Sequence, residues 1–418
     1  MKRFLLLFTL CISLFTKAQS KVDYLKANRF DLNDASFTFP ENDFKLIGFG
    51  AYHGSAKTEA VEEKLLRALT KNGTITYYLP ETDYSTAYYY NRYLRTGDEE
   101  LLKDLVMHAG VTVQQERTIE SFNKWKALKE RNDALLVQNK LSVVGVDIIL
   151  TYKYTVLQLL ELLGDRGADL AIVRSLCSAY ENPDTDFLST YNSEGKSVVR
   201  AFVSAVDEQP HFFENLVDDT FVFNHLIKNI KVTLEDFEYK REETIFNNYV
   251  SLSPIFQFDT KPQFMRIGFA HLEKSREGKS ASFFTQLIEK GVHKKEAVIS
   301  VIGYLTDSEV LWDHLYDDAG NYTGFTTEAG FGIGDYEDEY FRGIANLKAA
   351  KISDKTFFKL NAPNTPYNDG NPDLIEVILK DKPSNGERVK GKSTTEFLDY
   401  AVLISNSKPS TPIEERNR

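Results

Sequence analysis

Cysteine, basic charge and long apolar segments are all scarce in this sequence, and each shortage disfavours a class of protein. The 418 residues include two cysteines, and Cys11 lies in an apolar segment near the N-terminus. If that segment is cleaved, Cys177 remains alone and the mature chain can form no internal disulfide. The formal net charge of −11 argues against binding to nucleic acid or to anionic membranes, because both require a basic face.

The main apolar run has the pattern of a signal peptide. Two basic residues precede an apolar run over 4–15, which is too short to span a bilayer. Residues 16–18, Thr-Lys-Ala, then resemble a cleavage site. We therefore expect a signal peptide over 1–18, with an uncleaved anchor as the alternative. The mature chain is expected to be a periplasmic or secreted monomer without stable membrane insertion.

Two signatures of common hydrolases are also absent. The sequence contains no G-x-S-x-G nucleophile motif and no H-E-x-x-H zinc helix. Cys177 lies in a region of helical periodicity, away from any evident base. A serine or cysteine nucleophile is therefore a weaker hypothesis than a water molecule activated by a histidine.

Strand-like and helix-like segments alternate along the first part of the chain. Apolar runs at 45–50, 74–79 and 141–147 are separated by helical patterns, including 57–71 and 117–140. Strands separated by helices pair in parallel. With 42% hydrophobic residues, the chain can also bury a large core. We predict an α/β fold with a mostly parallel central sheet flanked by helices.

The middle of the chain follows a different pattern. Helical periodicity continues almost throughout 153–252, which predicts a large all-helical insertion. Strand character returns in four later segments, namely 263–270, 297–302, 356–360 and 400–404. The stretch 305–340 is rich in acidic residues and glycine, and we expect it to form loops. A single α/β domain over 19–418 accounts for this order.

Polar residues follow several of the predicted strands. His53, Glu81, Asp147 and His271 each stand where an apolar run ends. Parallel strands bring their carboxyl ends to one edge of the sheet, where ligands bind. A carboxylate can fix the tautomer of a histidine whose free nitrogen takes a proton from water, and a second histidine can stabilise an oxyanion. These residues are candidates for a hydrolytic site.

The same residues could instead form a metal site. His53, Glu81 and His271 would make a set of two histidines and one carboxylate, a known ligand set for zinc or iron. We expect no cofactor, and a metal-dependent hydrolase remains the alternative on these residues.

Several motifs, in order, resemble the erythromycin esterase family. Gly-Ala-Tyr-His53-Gly is followed by Tyr-Leu-Pro-Glu81 and then by Asn91-Arg-Tyr-Leu-Arg-Thr-Gly, which resembles the opening of that family. Later segments also resemble family motifs, namely Val-Gly-Val-Asp147, Arg241 to Asn248, and Phe-Ala-His271. The resemblance spans most of the mature chain.

The resemblance implies an exported hydrolase that cleaves an ester or lactone of a small-molecule substrate. His53 would activate water, Glu81 would orient it, and His271 would bind or polarise the substrate. The candidate substrate-binding residues are Asp147, Arg241, Asn248, Lys274, Tyr52 and Tyr89.

The sequence departs from the family pattern at two positions. The family's glutamate three residues before the first histidine is Gly50 here, and a second histidine after His271 is replaced by Lys274. A noncatalytic binding protein on the same fold is therefore a competing hypothesis.

Overall fold

The structure is a computed structural model that describes residues 20–71, 73–235, 240–329 and 334–417. The predicted signal peptide lies outside the described residues. Within them, every helix is too short or too polar to cross a bilayer.

A mixed α/β fold is built around one large sheet, as the sequence predicts. The described strands are β1 (Arg29–Asp31), β2 (Leu46–Gly50), β3 (Tyr77–Leu79), β4 (Ser142–Val143), β5 (Gln263–Arg266), β6 (Val298–Thr306), β7 (Val310–Tyr316), β8 (Tyr322–Glu328), β9 (Asp335–Tyr336), β10 (Glu339–Phe341), β11 (Lys355–Lys359), β12 (Val377–Leu379) and β13 (Tyr400–Ser405). Eight of them form the sheet, in the order β1-β11-β13-β6-β2-β5-β3-β4. The pairs from β13 to β4 are parallel, and those joining β1, β11 and β13 are antiparallel.

Helices flank the sheet. They are α1 (Lys21–Ala27), α2 (Ala56–Thr70), α3 (Tyr84–Thr96), α4 (Glu99–Thr112), α5 (Ile119–Ala134), α6 (Lys153–Gly167), α7 (Ala171–Glu181), α8 (Glu194–Glu208), α9 (Pro210–Glu214), α10 (Thr220–Leu234), α11 (Arg241–Phe256), α12 (Phe283–Glu289), α13 (Ile344–Ala350), α14 (Gly386–Val389) and α15 (Thr394–Phe397). Single turns of 3₁₀ helix lie at Gln114–Glu116, Val137–Asn139, Phe269–Leu272, Lys295–Ala297 and Ile413–Asn417.

Strand β2 sits at the centre of the sheet, between β5 and β6. All five of its residues are buried, because both of its faces are covered. From β2 the chain runs outward to β3 and β4 on one side, and it later places β6 on the other. Such a reversal of strand order opens a crevice beyond the carboxyl ends of the strands. His53 follows β2 directly into this crevice.

The glycines of β2 allow the chain after β5 to approach closely. A Cβ atom on Gly50 would lie 2.5 Å from Phe269 Cα and 3.0 Å from a methyl group of Leu272. Phe269–Leu272 is the 3₁₀ turn that carries His271. The absence of a side chain at position 50 therefore lets this turn pack against β2.

Replacing Gly50 with alanine is expected to destabilise the fold. The new methyl group would overlap backbone atoms, and overpacking of a core costs about 1–3 kcal/mol. Urea unfolding would show a lower midpoint. Gly324→Ala is the control, because a Cβ atom there meets nothing within 4 Å. An unchanged midpoint for Gly50→Ala would contradict the close approach.

Helices α6 to α11 occupy the region for which the sequence predicts an insertion. Helices α6 to α10 share a core in which Leu159, Phe202 and Phe223 are fully buried, whereas the buried residues of α11 pack in a second core together with residues of the sheet. The last of these helices returns toward the sheet and begins at Arg241. The helical region thereby delivers Arg241 to the crevice.

The expectation of loops over 305–340 is wrong. Strands β7 and β8 form an antiparallel hairpin, and β9 and β10 pair with β12 in a small second sheet. Residues of β8 alternate between half-buried and exposed, and none is buried. Because no continuous apolar face is buried, hydrophobic periodicity gives little sign of this strand.

A C-terminal segment, residues 410–413, joins two parts of the crevice. The backbone N–H of Ser410 donates to the carbonyl of Gly54 at 2.7 Å, beside His53. The N–H of Ile119 donates to the carbonyl of Thr411 at 2.8 Å, at the start of α5. The segment therefore links the loop after β2 to the turn before α5.

Candidate active site

His53 lies between two carboxylates at the floor of the crevice. Its Nδ1 is 2.5 Å from Glu116 Oε1, and its Nε2 is 3.4 Å from Glu81 Oε2. All three side chains are about one-fifth exposed or less. The sequence predicts the partnership with Glu81 but not the partnership with Glu116.

Glu116 comes from the 3₁₀ turn between α4 and α5. The side chain of Thr118 caps α5 and so fixes the end of this turn. The hydroxyl of Ser121, in the first turn of α5, donates to Glu116 Oε2 at 3.0 Å. No periodic pattern marks Glu116 in the sequence. The one indirect sign is that Gly50 replaces the family's glutamate, so that a carboxylate partner for His53 has to come from elsewhere in the chain.

The two carboxylates change the acidity of His53. Burial alone would lower its pKa, but the hydrogen bonds to Glu116 and Glu81 outweigh burial and raise the pKa from 6.5 to about 9. The same contacts, against the opposing effect of burial, lower the pKa of Glu116 to about 2 and hold the pKa of Glu81 well below 4.5. At neutral pH the trio is an imidazolium between two carboxylates.

Glu81 is held by groups from the other side of the crevice. Arg241 donates to Glu81 Oε1 at 2.6 Å and to both oxygens of Asp147, at 3.0 and 2.6 Å. The backbone N–H of Gly268 donates to Glu81 Oε2 at 3.0 Å. These bonds fix the carboxylate beside His53. Asp147 is buried, and it lies beyond β4, which ends four residues earlier than the predicted strand.

His271 approaches the same carboxylate from a turn rather than from a strand end, which corrects the sequence-based expectation. Strand β5 ends at Arg266, and His271 lies in the 3₁₀ turn that follows. Its Nδ1 contacts Glu242, the second residue of α11. Burial lowers the pKa of His271, but the contact with Glu242 outweighs it, so the pKa is raised above 6.5.

Gly268 leaves a space between His271 and Glu81. A Cβ atom on Gly268 would be 3.8 Å from His271 Nε2 and 3.9 Å from Glu81 Oε1. Both polar atoms therefore face one point, and glycine keeps that point open.

Filling this space is expected to impair activity without unfolding the protein. Gly268→Ala would make only ordinary van der Waals contacts, so thermal stability should hardly change. The methyl group would displace a substrate or water from between the two side chains, and kcat/KM should fall on the order of tenfold or more. Gly324→Ala again serves as the control. Unchanged kinetics in Gly268→Ala would mean that the space is not used.

A buried ionic network supports the floor of the site. Lys124 lies 2.6 Å from Glu59 and 2.9 Å from Glu62. Arg266 lies 3.5 Å from Glu62 and donates to the carbonyls of Ala51 and Ile267. Lys124 and Arg266 also lower the pKa of Glu116 by their positive charge. Nothing in the sequence marks these residues as part of a site, because each lies within a regular helix or strand pattern.

The trio opens into a cavity of about 190 Å³. Among the residues that line it are His53, Glu81, Glu116, Asp147, Arg241, His108 and Trp125. Two predicted catalytic residues and two predicted substrate-binding residues thus share one cavity. His271 is not among the residues that line the cavity, and its Nε2 faces the space that Gly268 leaves beside Glu81.

Four predicted substrate-binding residues lie elsewhere. Asn248 is buried and donates to the carbonyl of Val146 and to Asn229. Tyr89 is fully buried against Tyr154. The other two are Lys274, which forms a buried ion pair with Asp399, and Tyr52, which packs against the core.

A metal site is not evident in the described part of the chain. No three His, Cys, Asp or Glu side chains converge there in the manner of a metal centre. Both ring nitrogens of His53 face carboxylates.

Comparison with known proteins finds a similarity of structure only. No protein-family model matches the sequence, and no curated protein matches it significantly. A Bacillus cereus protein matches with a TM-score of 0.61 and 14% identity, over 94% of this chain and 98% of its own. A succinoglycan biosynthesis protein matches with a TM-score of 0.61 and 13% identity, over 96% and 100%.

A third match is a mutant of the erythromycin esterase EreC in its open conformation. Its TM-score is 0.56 at 14% identity, over 88% of this chain and 92% of its own. The chain has the fold of an erythromycin esterase. At such identities the likeness concerns the fold, and it agrees with the fold that the sequence motifs imply.

Proposed function

We propose that this protein is an exported hydrolase of the erythromycin-esterase-like superfamily that cleaves an ester or lactone with water activated by His53. The observation that carries the proposal is the position of His53 between Glu116 and Glu81 at the floor of a cavity. The shared fold with EreC supports it. Export to the periplasm or the medium rests on the signal-peptide pattern over 1–18.

In the reactive form His53 is neutral. Glu116 accepts the Nδ1–H, so Nε2 carries the lone pair. The gap of 3.4 Å between Nε2 and Glu81 is longer than a strong hydrogen bond, and the attacking water binds to both groups. Its oxygen bonds to the carbonyl carbon while Nε2 takes its proton.

The remaining steps balance the reaction. The carbonyl oxygen becomes an oxyanion, which the Nε2–H of protonated His271 stabilises. The intermediate then collapses, the bond to the alcohol oxygen breaks, and His53 returns the proton to that oxygen. One ester and one water give one carboxylic acid and one alcohol.

The direct test is hydrolysis by the purified protein of a panel of uncharged esters and lactones, followed as acid release. We expect turnover of at least one class, with and without a chelator. Absence of turnover on every substrate would favour the noncatalytic binding protein. Loss of turnover with the chelator, and recovery with added zinc or iron, would favour the metal-dependent alternative.

The rate should rise with pH. Only the neutral fraction of His53 can accept a proton, and its pKa is about 9, so kcat/KM should rise about tenfold per pH unit from pH 6 upward. The increase of kcat/KM with pH becomes less steep above the pKa of His271, where this residue loses its proton. The His271→Gln variant should be slower than the wild type, but its kcat/KM should continue to rise with pH up to about pH 9. A rate that falls over this range would mean that His53 acts in its protonated form.

A further inference from the structure

The cavity above His53 is small for a macrocycle. Its volume of about 190 Å³ is below the roughly 300–1,000 Å³ of pockets that hold drug-sized ligands. The reacting carbonyl of a substrate must enter this space, because His53 and Glu81, which bind the proposed water, both line it.

The walls of the cavity are held firmly. On one side Trp125 stacks on Tyr90, with ring centroids 3.8 Å apart and planes within 10°. On another, the turn that carries Glu116 is fixed from outside. The side chain of Gln115 donates to the carbonyl of Trp312 at 3.1 Å, and His314 Nε2 lies 3.0 Å from the carbonyl of Gln114. Moving this turn outward would break its bonds to hairpin β7–β8.

Cations that line the cavity already have partners within the described chain. His53 lies between Glu81 and Glu116, and Arg241 binds Glu81 and Asp147. Lys124 and Arg266, at the floor, contact buried carboxylates. A carboxylate or phosphate on the substrate would have to displace one of these partners, at the cost of leaving it buried and unpaired.

Uncharged hydrogen-bonding groups also line the cavity. The residues that carry them include His108, Thr82 and Thr151. The ring of His108 stands edge-on to Tyr154, with centroids 4.7 Å apart, which fixes its plane. Burial and the charge of Lys153 lower the pKa of His108 to about 3, so this imidazole is neutral across the physiological range.

We propose that the cavity takes a small, uncharged ester or lactone with a polar group that bonds to His108, and that it excludes macrocyclic lactones. The inference rests on the proposed function, since it names the substrate class of that site. His108 acts here as a binding residue that selects polar, uncharged substrates.

The test compares matched substrates on the purified protein. Methyl lactate represents the small uncharged class with a polar group, monomethyl succinate adds a charge, and erythromycin is the macrocycle. We expect kcat/KM for methyl lactate to exceed that for monomethyl succinate by about tenfold or more, and erythromycin to remain intact. Any hydrolysis of erythromycin, or hydrolysis of the anion as fast as that of methyl lactate, would overturn the inference while leaving the proposed hydrolase function intact.

Variants of His108 test its role. His108→Phe should raise KM for methyl lactate by up to about tenfold, the value of one hydrogen bond, with little change in kcat. His108→Gln, which keeps a hydrogen-bonding group, should recover most of the loss. An equal change of KM in both variants, or no change in either, would overturn the role of His108.

A binding measurement separates the two proposals. N-Methyllactamide, an amide that resembles methyl lactate but resists hydrolysis, should shift amide resonances of the wild-type protein in NMR and shift them less in His108→Phe. If this amide binds but no ester is hydrolysed, the proposed function fails and the cavity assignment stands. If erythromycin binds and the amide does not, the cavity assignment fails.

Discussion

Replacing His53 with glutamine is expected to lower kcat for ester hydrolysis by a factor on the order of 10²–10⁴, the usual contribution of a general base. Glutamine can still donate an amide hydrogen bond to Glu116, but it cannot take a proton from water. KM should change little, because the cavity walls stay in place. Steady-state kinetics on any ester that the wild-type protein cleaves would measure this effect.

His211→Gln is the matched control for this variant. The His211 side chain is 94% exposed and its partner Glu214 is on the same short helix, so its replacement should leave kcat unchanged. Retention of wild-type kcat by His53→Gln would exclude His53 as the base.

Stability should change with pH in a way that also reports on His53. The folded pKa of about 9 exceeds the usual 6.5, so the stabilisation by the protonated form is complete below about pH 6.5 and is lost as pH rises through 9. The deficit of His53→Gln relative to wild type should therefore be largest near pH 6.

Replacing Lys274 with methionine is expected to have the largest effect on stability. Its Nζ lies 2.8 and 3.0 Å from the two oxygens of Asp399, and both side chains are less than one-tenth exposed. Removing one partner of a buried ion pair costs about 3–5 kcal/mol, since the other charge is left uncompensated. Urea unfolding would show this as a lower midpoint.

Activity distinguishes this structural role from the substrate-binding role that the sequence suggests. The ion pair lies outside the cavity, so the folded fraction of Lys274→Met should keep its KM. Arg276→Met is the control, because it removes an exposed pair with Glu289 and should change stability little. A large rise in KM for Lys274→Met would show that Lys274 takes part in substrate binding.

The parallel sheet and the positions of His53 and Glu81 can be predicted from the sequence, because both depend on periodic patterns. The alternation of apolar runs and helical stripes gives the parallel sheet, and the end of the first run gives the position of His53. Glu81 follows in the same way from the run before Pro80. These residues can be located because the chain direction of parallel strands places them at one edge.

What the sequence does not predict depends on contacts between distant, irregular segments. Glu116 comes from a turn between two helices, and nothing in its neighbourhood points to His53. Lys274 is a candidate for the site only because it stands at a family position, and its partner Asp399 is 125 residues away. Such pairings follow from tertiary packing, which local periodicity does not encode.

The C-terminal segment over 410–413 has a consequence for the order of folding. It joins the loop after β2 to the start of α5, and its bond from Thr411 to Glu120 spans 291 residues. Contacts between such distant segments require the closure of a large loop and form slowly. We therefore expect the pairing of His53 with Glu116 to be completed late in refolding, after the sheet has formed.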